Sequence, residues 1–459
     1  MTILIQNSLT KKKEELTSLD GKTLRMYSCG VTVYDKCHIG HARSLYIFDV
    51  IRRYLKYRGY DVLFVRNITD VDDKIINKAK QSGKTFDEVV RENIEAYERD
   101  LVNFGVDKAD KEPRATQYIP KIIDFIEGLI EKGFGYEVDG DVYYSVRKFK
   151  GYGKLSGQSI DQMIEATRIE QDPKKRDPLD FALWKKAKEG EKSWPSPWGE
   201  GRPGWHIECS CMSMQELQRD TIDIHAGGRD LVFPHHENEI AQSEALTGKP
   251  FARHWIHHGL LTINGQKMAK SLGNFITLDE VFARYPSDVL KLFFLQSHYG
   301  SPVDFSWEKM EEVKKAYDRI GIFMKKLDDV GDEETSEDED FDYRKEFEAT
   351  MDDDFNTPKA LSVLFDMANE CNRLIDSGAE ENRSILKAAM AFLKDVSDIF
   401  GIQFFKETNV SEEEEGLLQE RIAARKNKDF KRSDELRNVL KSKGIIVEDT
   451  KDGQVWRRA

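Results

Sequence analysis

Two adjacent histidines and two glutamates lie close together in FPHHENEIAQ, residues 233–242. Imidazole nitrogens and carboxylate oxygens are metal donors, and a proline suits the first turn of a helix, so the spacing predicts a helix beginning at Pro234. On such a helix His235 and Glu239 share a face, whereas His236 points about 100° away and, with Glu237, takes a supporting or surface role. That pair suits zinc, which needs two more donors for a closed tetrahedral site, commonly thiolates. Cys209 in GWHIECS and Cys29 in YSCG are the candidates. Singly these signals are weak: a His and a Glu at helical spacing also read as an exposed polar pair, and a lone cysteine as a small buried hydrophobe.

Two further stretches suit phosphate. CHIGH (37–41) stands where strand-like residues give way to helical spacing, and a helix start offers free N–H groups and a positive dipole end. Gly40 allows close approach of a phosphate or base, and His38 and His41 add donors without a fixed charge. KMAKS (267–271) sets Lys267 and Lys270 three apart beside Gly265 and Gly273. Mobile ammonium groups suit a leaving pyrophosphate, whose charge grows in the transition state. Alone, each string also fits packed histidines or a solvated lysine pair.

Positioning these residues requires a frame. LRMYSCGVTVY (24–34) reads as a strand, GHARSLYIFDVIRRYLKYRGY (40–60) as a helix closed by Gly59, and DVLFVRNITD (61–70) as the next strand. This βαβ unit predicts a parallel sheet with ligands outside the carboxyl ends of its strands. Between about 115 and 200, short β-like pieces and Gly/Pro/Trp-rich turns suggest an insertion. Strand signals return in TIDIHAGG (221–228) and HWIHHGLLTING (254–265), the latter ending in Asn264-Gly265, which favours a tight hairpin turn. Beyond about 308 the periodicity is helical, broken by LDDVGDEETSEDEDFD (327–342), whose ten carboxylates repel one another and favour a solvated linker.

A chain of 459 residues suggests about three domains. No apolar run approaches the ~18 residues of a membrane span and the start lacks the order of a signal peptide, so a cytoplasmic location without membrane contact is expected. Five scattered cysteines argue against a disulfide framework. All ten histidines fall between His38 and His298, which places metal and proton chemistry in the first two thirds. A net charge of −13 opposes indiscriminate polyanion binding, so nucleic-acid contact needs a local basic patch. Residues 421–459 supply one, with twelve Lys/Arg against six Asp/Glu. There RIAARKNKDFKRSDELRNVLKSKG reads as a basic helix pair, and Phe430 could stack on an unpaired base.

Together and in this order, CHIGH and KMAKS resemble the HIGH and KMSKS signatures of class I aminoacyl-tRNA synthetases. Over essentially its whole length the chain is similar to the cysteinyl-tRNA synthetase family, through YSCGVTVYDKCHIGHARS, RNITDVDDKI, GWHIECSCMS, IDIHAGGRDLVFPHHENEIAQSEA, NGQKMAKSLGN and ARKNKDFKRSDELR. The resemblance implies one zinc per subunit, held by Cys29, Cys209, His235 and Glu239, that selects the thiolate of substrate cysteine over serine without an editing site. It implies a cysteine pocket including Thr69, Trp205, His225 and Asp230. It implies ATP with Mg²⁺ at His38, Gly40, His41, Lys267 and Lys270, the histidines and lysines being catalytic. Arg425, Phe430 and Asp434 match anticodon contacts.

Ala269 stands where the family motif often has Ser, and Phe430 where many relatives have Trp. The implied reaction activates L-cysteine to cysteinyl-adenylate and passes it to the terminal adenosine of cysteine tRNA. The implied architecture is α/β: a Rossmann-like parallel-sheet catalytic domain in two halves (1–115 and 201–265) around an inserted acceptor-end domain (116–200). A Lys-loop and stem-contact region (266–320), an α-helical bundle (345–405) and an anticodon-binding domain (406–459) follow, in a monomer. A tRNA-independent ligase joining cysteine to an amino sugar shares the zinc and nucleotide motifs but lacks the basic tail.

Overall fold

A computed structural model describes residues 2–166, 172–269, 272–328, 342–378, 382–404, 411–450 and 453–458. The chain divides into two units, Met1–Phe404 and Phe405–Ala459. At the centre of the first lie four parallel strands, β1 (Thr23–Ser28), β2 (Asp61–Arg66), β3 (Ile222–Gly228) and β4 (Ala252–His258), in the order β4-β3-β1-β2. Every residue of β3 is buried, as expected for a parallel strand covered on both faces. Helix α1 (Ile39–Tyr57) joins β1 to β2. The chain then returns to build β3 and β4 on the other side of β1. This reversal opens a crevice at the carboxyl ends of β1 and β3, where ligands of such sheets bind.

Between β2 and β3 lies an antiparallel sheet of Gly135–Val138, Asp141–Tyr144, Phe181–Lys186 and Gly201–Pro203, paired in chain order. Helices α2 (Trp205–Leu217) and α3 (Glu237–Thr247) pack on this layer, with Ile207, Cys211, Ala241 and Ala245 joining Ile122, Ile126, Tyr144 and Trp184 in one core. Cys211 is thus a packing residue. The Asn264-Gly265 dipeptide makes the expected hairpin: both residues have positive φ (48° and 74°), and Ile263 pairs with Gln266 across the turn.

Helices Trp307–Asp328, Asp342–Asp352, Thr357–Ser377 and Arg383–Phe400 complete the first unit. The acidic run lies largely outside the described residues. The second unit has the expected helix pair, Glu412–Lys426 and Phe430–Ser442, and a hairpin of Ile445–Thr450 with Gly453–Arg458 that the sequence reading did not anticipate. Leu418, Leu440, Ile445 and Val447 form its core. Among the described residues no helix is long and apolar enough to cross a membrane.

Candidate metal centre and nucleotide site

Cys29 directly follows β1, Cys209 lies in the second turn of α2, and His235 and Glu239 flank the start of α3. Their donor atoms all lie within 4.8 Å of one another, and all four residues are buried. The two sulfurs are 3.8 Å apart, matching the edge of a tetrahedron with Zn–S bonds of about 2.3 Å. Glu239 Oε1 is 3.5 Å from Cys29 Sγ and 3.0 Å from His235 Nε2. Two thiols, an imidazole and a carboxylate at these separations fit zinc. An outer layer orients them: His225 Nε2 lies 2.7 Å from Glu239 Oε2, and His206 Nδ1 lies 2.9 Å from His235 Nδ1.

The electrostatics follow from burial and mutual contact. Burial pushes the Glu239 carboxyl up, but His225 and His235 outweigh it and hold the group well below the usual carboxylate range. Burial likewise lowers His235, yet Glu239 and Cys209 raise it to about 10. A hydrogen bond from Cys29 lowers Cys209 to about 6, while burial drives Cys29 well above the ordinary thiol value. Protons on Cys29 and His235 thus balance negative charge on Cys209 and Glu239, a balance that a divalent cation supplies when the ligands lose their protons.

The helix expected from Pro234 begins later, at Glu237. The chain over Val232–His236 makes a wider π-type turn with an extended Phe233 (φ −136°, ψ 130°) just before Pro234, and it runs with helical dihedrals at His236 into the regular α-helix from Glu237. Of the two roles expected for His236, support or surface, its position favours the first. It is fully buried, with Nε2 3.3 Å from Cys29 Sγ and Nδ1 2.8 Å from His257 Nε2. Cys29, His225, His236 and Glu239 form a second, overlapping donor group. That group has only one thiol, and its His225 is already bonded to Glu239, so the two-thiol set suits zinc better. Glu237 is also buried, and accepts the N–H groups of Gly153 and Ser156, each at 2.9 Å.

Of the pocket residues, Trp205 and His225 reach this centre. The Trp205 ring, 38% exposed at the head of α2, lies 4.2 Å from that of His235. His225 stacks at 4.4 Å on Trp255, a core aromatic missed in the sequence. Thr69 is buried, its hydroxyl accepting from Asn67 Nδ2 at 3.1 Å. Asp230 stands on the exposed turn Arg229–Leu231 just beyond β3. His206, His257 and Glu208 were also missed. Each sits beside a flagged residue, but only the tertiary packing shows what it faces.

His38 caps the start of α1: its Nδ1 accepts from the Gly40 and His41 N–H groups at 3.1 and 3.3 Å, which leaves the proton of a neutral ring on Nε2. The His38 and His41 rings stack at 3.6 Å, and burial holds His41 well below its ordinary value and neutral. A Cβ on Gly40 would lie 2.9 Å from the His38 ring and 3.3 Å from Met268 Cε. The Lys loop therefore closes on the head of α1. Lys267 is exposed, and Asn274 braces the loop by accepting from Ala269 N–H at 2.8 Å and donating to the Lys267 carbonyl at 3.1 Å. Lys270 lies outside the described residues.

Residues 15–315 match the model of the class I (C) tRNA synthetase catalytic domain, 346–405 the DALR domain, and 407–457 the cysteinyl-tRNA ligase anticodon-binding domain. The sequence is 51% identical to the cysteine–tRNA ligase of Persephonella marina, with all of both chains covered. It is 48% identical to that of Aquifex aeolicus, over all of this chain and 99% of the relative. The chain belongs to the cysteine–tRNA ligase family. The fold extends beyond it: Mycobacterium tuberculosis methionyl-tRNA synthetase in complex with methionyl-adenylate superposes with a TM-score of 0.63 at 15% identity, covering 82% of this chain and 90% of that one.

In the second unit of this family member, Asp449 gathers three arginines: Arg421 at 2.9 Å, Arg437 at 2.6 Å, and Arg425. Burial raises the Asp449 carboxyl, but the arginines prevail and lower it. Arg425 is therefore already paired. Phe430 is 61% exposed at the head of its helix, and the exposed Asp434 lies 3.9 Å from Arg437.

Proposed function

We propose that the protein is a ligase that activates L-cysteine with ATP and transfers the cysteinyl group to the 3′-terminal adenosine of cysteine tRNA. The observation that carries this reading is the buried Cys29–Cys209–His235–Glu239 donor group at the sheet's reversal point. Cys29, Cys209, His235 and Glu239 would hold a zinc ion there, and its affinity for sulfur over oxygen would distinguish cysteine from serine where apolar packing discriminates only weakly.

The chain's own residues do the rest. Trp205 walls the amino-acid site, with Thr69, His225 and Asp230 around it. The head of α1 receives the ATP phosphates at Gly40, with the Nε2–H of His38 as donor and neutral His41 stacked behind it. Lys267 and Lys270, with Mg²⁺ brought by ATP, neutralise charge growing on the departing pyrophosphate. The cysteine carboxylate attacks the α-phosphate, and alignment supplies most of the rate because no covalent enzyme intermediate is needed. The 116–200 insertion is assigned to the tRNA acceptor end, 266–320 to the stem, 345–405 to the bundle reaching the anticodon arm, and 406–459 to anticodon reading through Arg425, Phe430 and Asp434. The basic tail with its exposed Phe430 favours this reading over the tRNA-independent amino-sugar ligase.

The test is exchange of labelled pyrophosphate into ATP without tRNA. Cysteine should support exchange and serine should not, and a zinc chelator should abolish it until zinc is restored. No cysteine-dependent exchange by zinc-replete protein overturns the reading.

A further inference from the structure

Tyr27, on β1, is fully buried, and its hydroxyl is enclosed without a well-formed hydrogen bond. Strand geometry explains where it points. Tyr27 pairs in register with His225 of β3 and stands two residues before Cys29, so the three side chains share one face of the sheet. The Tyr27 and His225 rings lie 5.4 Å apart, and Tyr27 packs in one core with Cys29, Cys209 and Trp255. The groups that face its hydroxyl are Cys209, Cys29 and Glu239, with Cys209 within hydrogen-bonding reach. Three of the four metal donors have outer partners of their own: His235 meets His206 at 2.9 Å, Glu239 meets His225 at 2.7 Å, and Cys29 Sγ meets His236 Nε2 at 3.3 Å. Cys209 instead meets two fellow donors, Cys29 at 3.8 Å and the His235 ring.

We propose that Tyr27 is a positioning residue of the metal centre, whose hydroxyl donates a hydrogen bond to the Cys209 thiolate once zinc is held. This assignment rests on the reading of the four donors as a zinc seat. A bound ion would claim Cys29 and His235 through the atoms that now meet Cys209, and Cys209 would keep the Tyr27 O–H as its outer partner. Each of the four ligands then has one such partner, the arrangement that fixes ligand orientation at metal sites. A phenol hydroxyl suits a thiolate because it donates one hydrogen bond and carries no charge of its own into a buried site. Hydrogen bonding to a cysteine sulfur draws charge away from the sulfur and so tunes the metal. At this site, less charge given by Cys209 leaves the ion more attractive to a further sulfur, that of the substrate.

The test is Tyr27→Phe in the full-length protein, which removes the hydroxyl and keeps the ring. Two properties are compared with the wild type: zinc affinity, by competition with a chelator, and the sulfur-to-metal charge-transfer band of protein loaded with Co²⁺ in place of zinc. Zinc affinity should fall roughly tenfold, the usual effect of losing an outer partner. The band should move to longer wavelength, because a thiolate relieved of its hydrogen bond gives up an electron more readily. Unchanged affinity overturns the proposal. So does a lower affinity with an unmoved band, since that makes Tyr27 a packing support and not a hydrogen-bond donor. If the variant fails to fold, a structure of the zinc-loaded wild type decides: the Tyr27 oxygen within hydrogen-bond distance of the Cys209 sulfur supports the proposal, and any other placement overturns it. These outcomes leave the zinc seat standing, whereas wild-type protein that takes up neither metal overturns the seat and the proposal together.

Discussion

His254 and His258 on β4 are both buried, and burial pushes each imidazole down to about 4, with Arg253 adding to the effect on His254 and Arg43 to that on His258. The unfolded chain takes up these protons near the ordinary value of about 6.5, before the folded protein does. The stability they contribute is therefore fully present above about 6.5 and lost as pH falls towards 4, by about 3 kcal/mol for each group. Urea unfolding midpoints should be level from pH 8 to 7 and fall steadily from 6.5 to 4. His254→Phe should flatten part of that slope, since neither ring nitrogen of His254 makes a hydrogen bond and its one carboxylate neighbour, Glu14, is 3.7 Å away. A level midpoint across that range would contradict the assignment. At this scale residue spacing was informative only where the backbone is regular. It put His235 and Glu239 on one side, and they stand 3.0 Å apart. It left His236 between a supporting and a surface role, and only tertiary packing places that ring against Cys29 and His257.

Among the elements, the join between α1 and the chain entering the Lys loop depends on one side chain. Arg43, fully buried in α1, donates to the carbonyls of Gly259 and Leu260 at 2.8 Å each, Tyr299 at 3.1 Å and Ser301 at 2.5 Å. Only a planar guanidinium can serve four acceptors on two segments at once; a lysine ammonium is a single point with three donors. Arg43→Lys should destabilise the protein by about 3 kcal/mol in urea, since at least one buried carbonyl is left unpaired and the others are poorly reached. Because the hairpin bearing Lys267 follows Gly259, the kcat of pyrophosphate exchange should fall while zinc content holds; unaltered stability and exchange would rule out this clasp. The strands of the parallel sheet and the Asn264-Gly265 hairpin were legible because their apolar runs and turn dipeptide carry the signal locally. The hairpin Ile445–Thr450/Gly453–Arg458 was not, since its strands mix charged and apolar residues and are fixed by burial of Ile445 and Val447 against Leu418 and Leu440.

At the scale of the whole molecule, the two units separate the work. The sheet, the donor group and the head of α1 belong to Met1–Phe404, whereas Phe405–Ala459 has its own apolar core and a buried Arg421 bound to Asp449 and Gln454. On a chain of net charge −13, residues 421–459 carry twelve Lys/Arg against six Asp/Glu, a local excess of positive charge expected to attract phosphate. Removing residues 405–459 should therefore leave cysteine-dependent pyrophosphate exchange within about twofold of the intact protein, because every residue assigned to that half-reaction remains. Charging of cysteine tRNA should lose roughly 100-fold in kcat/KM, and the salt dependence of its KM should become shallower as phosphate contacts disappear. Phe430→Ala isolates the base-stacking part of this loss: its exposed ring contributes no core, so stability should hold while charging drops about tenfold, the usual worth of one stacked base. Charging left intact by the deletion would remove the tail from tRNA recognition, and charging left intact by Phe430→Ala alone would shift recognition to the arginines around Asp449.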